Sequence, residues 1–239
     1  MFGKRSHICS QILGMLLVTG IYLPLSGTTI AAANEIQLKE NEQVSWADVL
    51  NRLFKRKKPP LGSRGEVCAL TPRQPGETGI IEIWSDRPLF SWQGEVERII
   101  LLQNGNNNFF WSQAVNKADR SIQYPGEALQ PGGSYQGILL PVDANLPPIR
   151  IQFKVIAAKE RQAIARELTQ LEATLKPQGA TAEMIALYKA NYFASRQLGF
   201  DALQFALNVQ NPSAELTQVI QTIPQRACPF PRYQQPPTG

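Results

Sequence analysis

Carboxylates are the side chains of this sequence with the most obvious catalytic potential. Seven of them lie between residues 66 and 119: Glu66, Glu77, Glu82, Asp86, Glu95, Glu97 and Asp119. Two carboxylates that face each other across a cleft can cleave a glycosidic bond. The spacing pairs no two of the seven, and isolated carboxylates are usually solvated. A carboxylate-dependent hydrolase of cell-wall glycan is therefore the alternative hypothesis, and we expect a protein that is not an enzyme.

Histidine chemistry is almost absent, because His7 is the only histidine of the chain. It lies in a segment that we expect to be removed. Without it, Ser-His-Asp and Cys-His catalysis and the common zinc sites are excluded. The sequence also lacks a C-x-x-C redox motif. We expect neither a metal nor a cofactor.

The N-terminal segment has the pattern of a secretory signal peptide. Lys4 and Arg5 precede an apolar run from residue 12 to 25, and Ala31-Ala32-Ala33 provides small residues for cleavage. The alternative is a retained membrane anchor, but the run is shorter than the ~18–20 residues that a spanning helix needs. We predict cleavage after residue 33, and hence a periplasmic or secreted protein.

The charge distribution argues against nucleic acid as a partner. Without Lys4 and Arg5 the net charge falls from +5 to +3, and four positive charges form the run Lys55-Arg56-Lys57-Lys58. The rest of the chain is nearly neutral, so it offers no basic face to a phosphate backbone.

Residues 34–60 are predicted to be a linker that contains one short amphipathic helix, Trp46 to Lys55, capped by Ser45. Its apolar residues share one face, and the basic run follows directly. Such a segment can lie on an anionic membrane; the alternative is that the apolar face docks on the protein's own helices. The membrane hypothesis assigns contact to Trp46, Leu50, Leu53, Phe54, Lys55, Arg56, Lys57 and Lys58.

Residues 61–156 are predicted to form an immunoglobulin- or fibronectin-like β-sandwich. Leu129, the bend Pro131-Gly132-Gly133 and Tyr135 have the spacing of a tyrosine corner, in which the phenol bonds to upstream backbone. Seven to nine short apolar runs separated by turn residues fit the same fold.

Three consecutive aromatic residues, Phe109, Phe110 and Trp111, follow the predicted hairpin tip at residues 104–108. Strand alternation buries only two of the three well, so the third is a candidate surface for a ligand or partner. The alternative is that this face packs under the C-terminal helices.

Residues 157–225 are predicted to be helical, which makes the fold class α+β. Helices are expected over 158–175, 182–198 and 200–209, with Gly199 ending the second. A fourth begins at Pro212 and ends before Pro224. The second and third helices resemble a degenerate tetratricopeptide hairpin, and residues 226–239 are predicted to be a disordered tail.

Two cysteines, Cys68 and Cys228, remain after removal of the signal peptide. In an exported protein they are expected to form a disulfide, which would tie the first strand to the end of the last helix. The alternative is two unpaired thiols.

Three segments carry a resemblance to a family of uncharacterised exported proteins, typically cyanobacterial. They are Gly62–Cys68, the motif Asp86-Arg87-Pro88-x-Phe90-x-Trp92 and the corner at Leu129–Tyr135. The resemblance covers about residues 60–225. It implies a domain of unknown function with a sandwich, a helical C-terminus and export, and it supplies no catalytic residues.

The sequence therefore favours a non-enzymatic periplasmic binding or scaffold protein. Its partner is expected to be a protein or glycan of the cell envelope, with peripheral membrane contact as a further hypothesis.

Overall fold

The structure is a computed structural model that describes residues 44–54, 67–72, 80–104 and 108–228. These residues form an α+β fold with two β-sheets and five α-helices. The predicted signal peptide, the basic run at 55–58, the turn at 62–66 and the end of the tail lie outside the described residues. In chain order the elements are α1 Trp46–Phe54, β1 Cys68–Thr71, β2 Ile81–Ile83, β3 Leu89–Gln93, β4 Val96–Gln103, β5 Asn108–Ala114, β6 Ser121–Gln123, β7 Ser134–Pro141, β8 Ile149–Val155, α2 Ala158–Leu175, α3 Ala182–Ser195, α4 Gly199–Leu207 and α5 Ala214–Ala227.

The strands divide into a three-stranded sheet, β1-β3-β6, and a five-stranded sheet, β2-β8-β7-β4-β5. β2 runs parallel to β8, and every other pairing is antiparallel. The first two strands of the chain therefore belong to different sheets.

One apolar core contains side chains from both sheets. Phe90 and Trp92 of β3 lie in it with Leu101 of β4 and Phe153 of β8. Each of these four is at most 1% exposed. Gly137 of β7 faces Phe90 so closely that a Cβ atom there would lie 2.8 Å from the ring. The absence of a side chain at residue 137 thus lets the aromatic ring of one sheet approach the backbone of the other.

Tyr135 closes one end of this core. Its side chain is fully buried, and its hydroxyl accepts a 2.9 Å hydrogen bond from the backbone N–H of Gln130. Leu129 is buried beside it, and Gly133 lies where a Cβ atom would clash with the phenol at 2.8 Å. This is the geometry expected of a tyrosine corner.

The helical region differs from the sequence prediction at the end of α3 and at both ends of α4 and α5. α3 ends at Ser195, and the left-handed residue that follows is Gln197 with φ 64°, so Gly199 begins α4 and does not terminate α3. α5 begins after Ser213, whose hydroxyl accepts from the N–H of Leu216 at 3.2 Å. The predicted start at Pro212 is wrong because the serine side chain supplies the cap.

α5 also runs through Pro224 to Ala227, four residues past its predicted end. A proline inside a helix lacks one backbone hydrogen bond and crowds the carbonyl four residues earlier, so packing must stabilise the helix at that point. Ile223 and Ala227 are buried here, and the N–H of Cys228 still donates to the carbonyl of Pro224 at 2.8 Å. Residues 226–228 therefore belong to the folded protein, and the predicted tail starts too early.

Candidate functional site

The turn between β2 and β3 joins the sheets to the helices through buried polar groups. The carboxylate of Asp201 in α4 accepts hydrogen bonds from the backbone N–H groups of Trp84 and Ser85, each at 2.8 Å. Asp201 is 1% exposed. Burial raises the pKa of Asp201 to about 7, although both backbone hydrogen bonds and the charge of Arg161 act to lower it.

Arg161 of α2 binds the same turn through Asp86 and Trp84. Its guanidinium lies 2.6 Å from the carboxylate of Asp86 and also donates to the carbonyl of Trp84 at 3.0 Å. The indole N–H of Trp84 donates in return to the carbonyl of Arg161 at 3.1 Å. Two hydrogen bonds and an ion pair thus fix the first turns of α2 against the sheet region.

Gln204 of α4 forms the third contact with the same turn. Its amide oxygen accepts from the N–H of Leu89 at 3.0 Å, and its amide nitrogen donates to the hydroxyl of Ser85 at 3.2 Å. The polar groups at this junction point at one another, so we assign them a structural role.

Sequence reasoning missed Asp201 and Gln204. The available signal was the setting of Asp201, between Phe200 and Ala202 in an apolar helix. A carboxylate on the buried stripe of a helix needs hydrogen-bond donors. Which donors it finds is decided by a loop more than 100 residues earlier in the chain.

α1 docks on the other helices through its apolar face. Trp46, Val49 and Leu50 are 2–4% exposed. The indole N–H of Trp46 donates to Glu183 of α3 at 3.0 Å, and its backbone N–H donates to Glu215 of α5 at 3.1 Å. The start of α1 is capped by Ser45, whose hydroxyl accepts from the N–H of Asp48 at 3.2 Å.

This docking corrects the predicted membrane contact for Trp46 and Leu50. Both side chains lie inside the protein, as the docking alternative expected, and neither is available to lipid while α1 is docked. Leu53 and Phe54 are half-buried, and Lys55 to Lys58 lie outside the described residues.

The predicted aromatic surface is reshaped by a β-bulge in β5. Leu101 pairs with Trp111 and Leu102 pairs with Phe109, so Phe110 is the extra residue. A bulge turns a side chain out of the regular alternation. As a result both Phe110 and Trp111 approach Tyr124, with ring centroids 6.3 and 5.5 Å away.

The two rings differ in exposure, which identifies the accessible one. Trp111 is half-buried against the core, whereas Phe110 is 37% exposed and contacts Tyr135 edge-to-face at 5.8 Å. Both rings therefore contact tyrosines of the apolar core that the sheets enclose. The side chain of Phe109 lies outside the described part of the structure.

β5 is also the longest strand at a sheet edge. It has seven residues, whereas the other edge strands, β1, β2 and β6, have three or four. β5 contains no charged residue and no proline, the usual devices that protect an edge from pairing. Its bulge is a device of this kind.

The carboxylates considered for catalysis are spread over different contacts. Asp86 pairs with Arg161 at the junction, Glu95 lies 4.0 Å from Lys117 in an exposed pair, and Asp119 accepts from the N–H of Asn116 at 2.9 Å. Glu82 and Glu97 are exposed on separate strands. Glu66 and Glu77 lie outside the described residues.

Charged residues between α2 and α3 neutralise one another. Lys189 donates to Glu172, and this hydrogen bond lowers the pKa of that carboxyl group. Arg196 lies 2.6 Å from Glu167, which also accepts from the hydroxyl of Tyr192. Burial and that hydrogen bond raise the pKa of Tyr192. These pairs hold two helices together.

Cys68 and Cys228 form the disulfide that the sequence predicts. It joins β1 to the end of α5 across 160 residues, and both cysteines are at most 3% exposed.

Within the described ranges, no cluster of three or more His, Cys, Asp and Glu side chains is placed to hold a metal ion. No helix in that part of the chain is long and apolar enough to cross a bilayer. No family model and no curated protein matches the sequence.

Proposed function

We propose that this chain is an exported, non-enzymatic binding or scaffold protein of the cell envelope, and that it recognises a protein partner at the β5 edge. The observation that carries the proposal is the combination in β5 of the longest, uncharged sheet edge with the exposed ring of Phe110. An edge strand can bind an extended segment by backbone hydrogen bonds, while a neighbouring aromatic ring selects a side chain.

A protein partner fits this surface better than a glycan does. Among the aromatic side chains described here, Phe110 is 37% exposed, whereas Trp111 and Tyr124 are turned inward. A single phenyl ring offers little area for stacking on a sugar, whereas a sheet edge offers a row of backbone donors and acceptors.

An immunoglobulin-like identity of the sheet region is part of the proposal. The orders β1-β3-β6 and β8-β7-β4-β5 correspond to the A-B-E and G-F-C-C′ strands of that sandwich, with β2 beside β8. The corner at Tyr135, at the start of the strand equivalent to F, supports the same identity.

The tetratricopeptide-like identity of α3 and α4 has weaker support than the immunoglobulin-like identity of the sheets. The two helices are consecutive and pack together, but a single pair lacks the concave surface of a repeat array. α1 covers one side of this pair, which argues against an open peptide groove.

Export is supported by the buried disulfide, because such bonds persist in oxidising compartments. Membership in the uncharacterised exported family remains a proposal as well. Its motif residues Asp86, Phe90 and Trp92 have structural roles here, in the Arg161 ion pair and in the core.

Membrane contact, as a further hypothesis, is confined to the basic run. Trp46, Val49 and Leu50 already pack inside the protein. The basic run would be attracted to an anionic surface without any undocking of α1.

The test is capture of a partner from an envelope extract by the full chain, with site-specific cross-linking at Gln113 on the exposed side of β5. Phe110→Ala should remove the cross-linked species. Met184→Ala, which trims another exposed apolar side chain far from β5 in sequence, is the matched control and should retain it. Equal capture by both variants would exclude this surface.

A further inference from the structure

The Cys68–Cys228 disulfide packs in an apolar cluster to which α1 contributes. The body of the protein provides Leu70 of β1, Leu203 and Leu207 of α4, and Val219, Ile220, Ile223 and Ala227 of α5. α1 provides the rest, through buried Leu50 and half-buried Leu53 and Phe54.

α1 contributes to this cover as a single short helix. It has nine residues, fewer than three turns, and a helix of that length is marginal in water on its own. It joins no sheet. The side-chain bonds that hold its C-terminal half, Arg52 to Asn191 and Arg226 to Asn51, are both exposed.

Access matters because of how disulfides are reduced. A thiolate of a dithiol attacks one sulfur, the S–S bond breaks, and the other cysteine leaves as a thiolate. The second thiol of the reductant then attacks the mixed disulfide, so the reductant is oxidised and both cysteines become thiols. Each attack needs an open approach to sulfur, which a cluster with 2–3% exposure does not provide.

We propose that α1 is a cover that controls reduction of the Cys68–Cys228 disulfide. A dithiol reduces the bond through the minor population in which α1 is undocked, and the docked state protects it. The coupling is reciprocal: reduction frees the end of α5 from β1, and so weakens the surface on which Leu50 and Leu53 pack.

The test measures the rate at which dithiothreitol reduces the disulfide in the folded full chain. The released thiols are alkylated and counted by mass spectrometry. Leu53→Asp places a charge on the covering face of α1. Ala47→Asp, on the exposed face of the same helix, is the matched control. We expect Leu53→Asp to accelerate reduction about tenfold or more, since the rate follows the open population, and Ala47→Asp to stay within about twofold of the wild type.

Trp46→Ala is a second, independent way to loosen α1, since it removes the hydrogen bond to Glu183 without touching the disulfide cluster. Trp46→Ala should also accelerate reduction, and it replaces Leu53→Asp in the test if that variant does not fold. Unchanged rates in both loosening variants would overturn the proposal. Equal acceleration by Ala47→Asp and Leu53→Asp would overturn it too, because the effect would then be general destabilisation.

Discussion

The carboxylate of Asp201 lies 2.8 Å from the backbone nitrogen of Trp84, which is 117 residues away in the sequence. This hydrogen bond and its neighbour at Ser85 connect α4 to the turn between β2 and β3. A buried carboxylate thus joins the two parts of the fold, and its ionisation has consequences for stability.

The first prediction concerns the pH dependence of unfolding. The pKa of Asp201 is raised by burial from 3.8 to about 7, so between these values the folded state holds a proton that the unfolded state releases. The free energy of unfolding should therefore fall as pH rises from about 4 to 7, with a slope of at most ~1.4 kcal/mol per pH unit from this group.

Asp201→Asn should remove that contribution, because the amide does not titrate. Urea unfolding of both proteins at several pH values measures it. The free energy of unfolding of the wild type, minus that of Asp201→Asn, should decrease as pH rises. A difference that stays constant from pH 4 to 7.5 would contradict the assignment.

The second prediction concerns the tyrosine corner. Tyr135→Phe keeps the buried ring but leaves the N–H of Gln130 without its acceptor. A hydrogen bond of this kind contributes about 0.5–1.5 kcal/mol, and we expect the free energy of unfolding to fall by that amount. Tyr188→Phe, at a half-buried helical tyrosine, is the control and should change stability much less.

The third prediction concerns the disulfide. The bond closes a loop of 160 residues, for which the chain-entropy model gives a stabilisation of about 5 kcal/mol. The double variant Cys68→Ala and Cys228→Ala should lose a stability of this order in chemical denaturation. Reduced wild-type protein should resemble the double variant. A fully stable double variant would show that packing alone holds α5 against β1.

The fourth prediction concerns the docking of α1. Trp46→Phe removes the indole N–H that donates to Glu183, while keeping an aromatic ring in the helix interface. A hydrogen bond to a charged acceptor contributes about 1.5–3 kcal/mol, which is the expected loss in unfolding free energy.

A double-mutant cycle with Glu183→Ala, which removes the acceptor, isolates that interaction. Glu183 also accepts from Ser213, so the single variant Glu183→Ala disturbs more than one contact. A coupling energy near zero in the cycle would show that Trp46 contributes through packing alone.

Much of the local structure follows from the sequence. Alternation and turn residues predict β4 at its observed bounds, and helical periodicity predicts α2 at Ala158–Leu175. The spacing from Leu129 to Tyr135 predicts the corner, because that motif is built within a few residues. The misplaced helix ends belong to α3, α4 and α5, where a left-handed residue at Gln197, a serine cap and packing around Pro224 intervene.

The candidate surface could be predicted only in part. The sequence identifies the group Phe109–Trp111, but strand alternation does not say which ring is exposed. The bulge at Phe110 decides it, and a bulge depends on the register between β4 and β5. The position of β5 at a sheet edge depends on the order of all five strands.

The sequence by itself determined the secondary structure, the tyrosine corner and a disulfide between Cys68 and Cys228, because each rests on local spacing or on residue count. Tertiary structure alone decided that α1 packs inside the protein, that Asp201 meets Trp84, and that Phe110 faces outward. These depend on partners more than a hundred residues away or on strand register, and no local pattern encodes them.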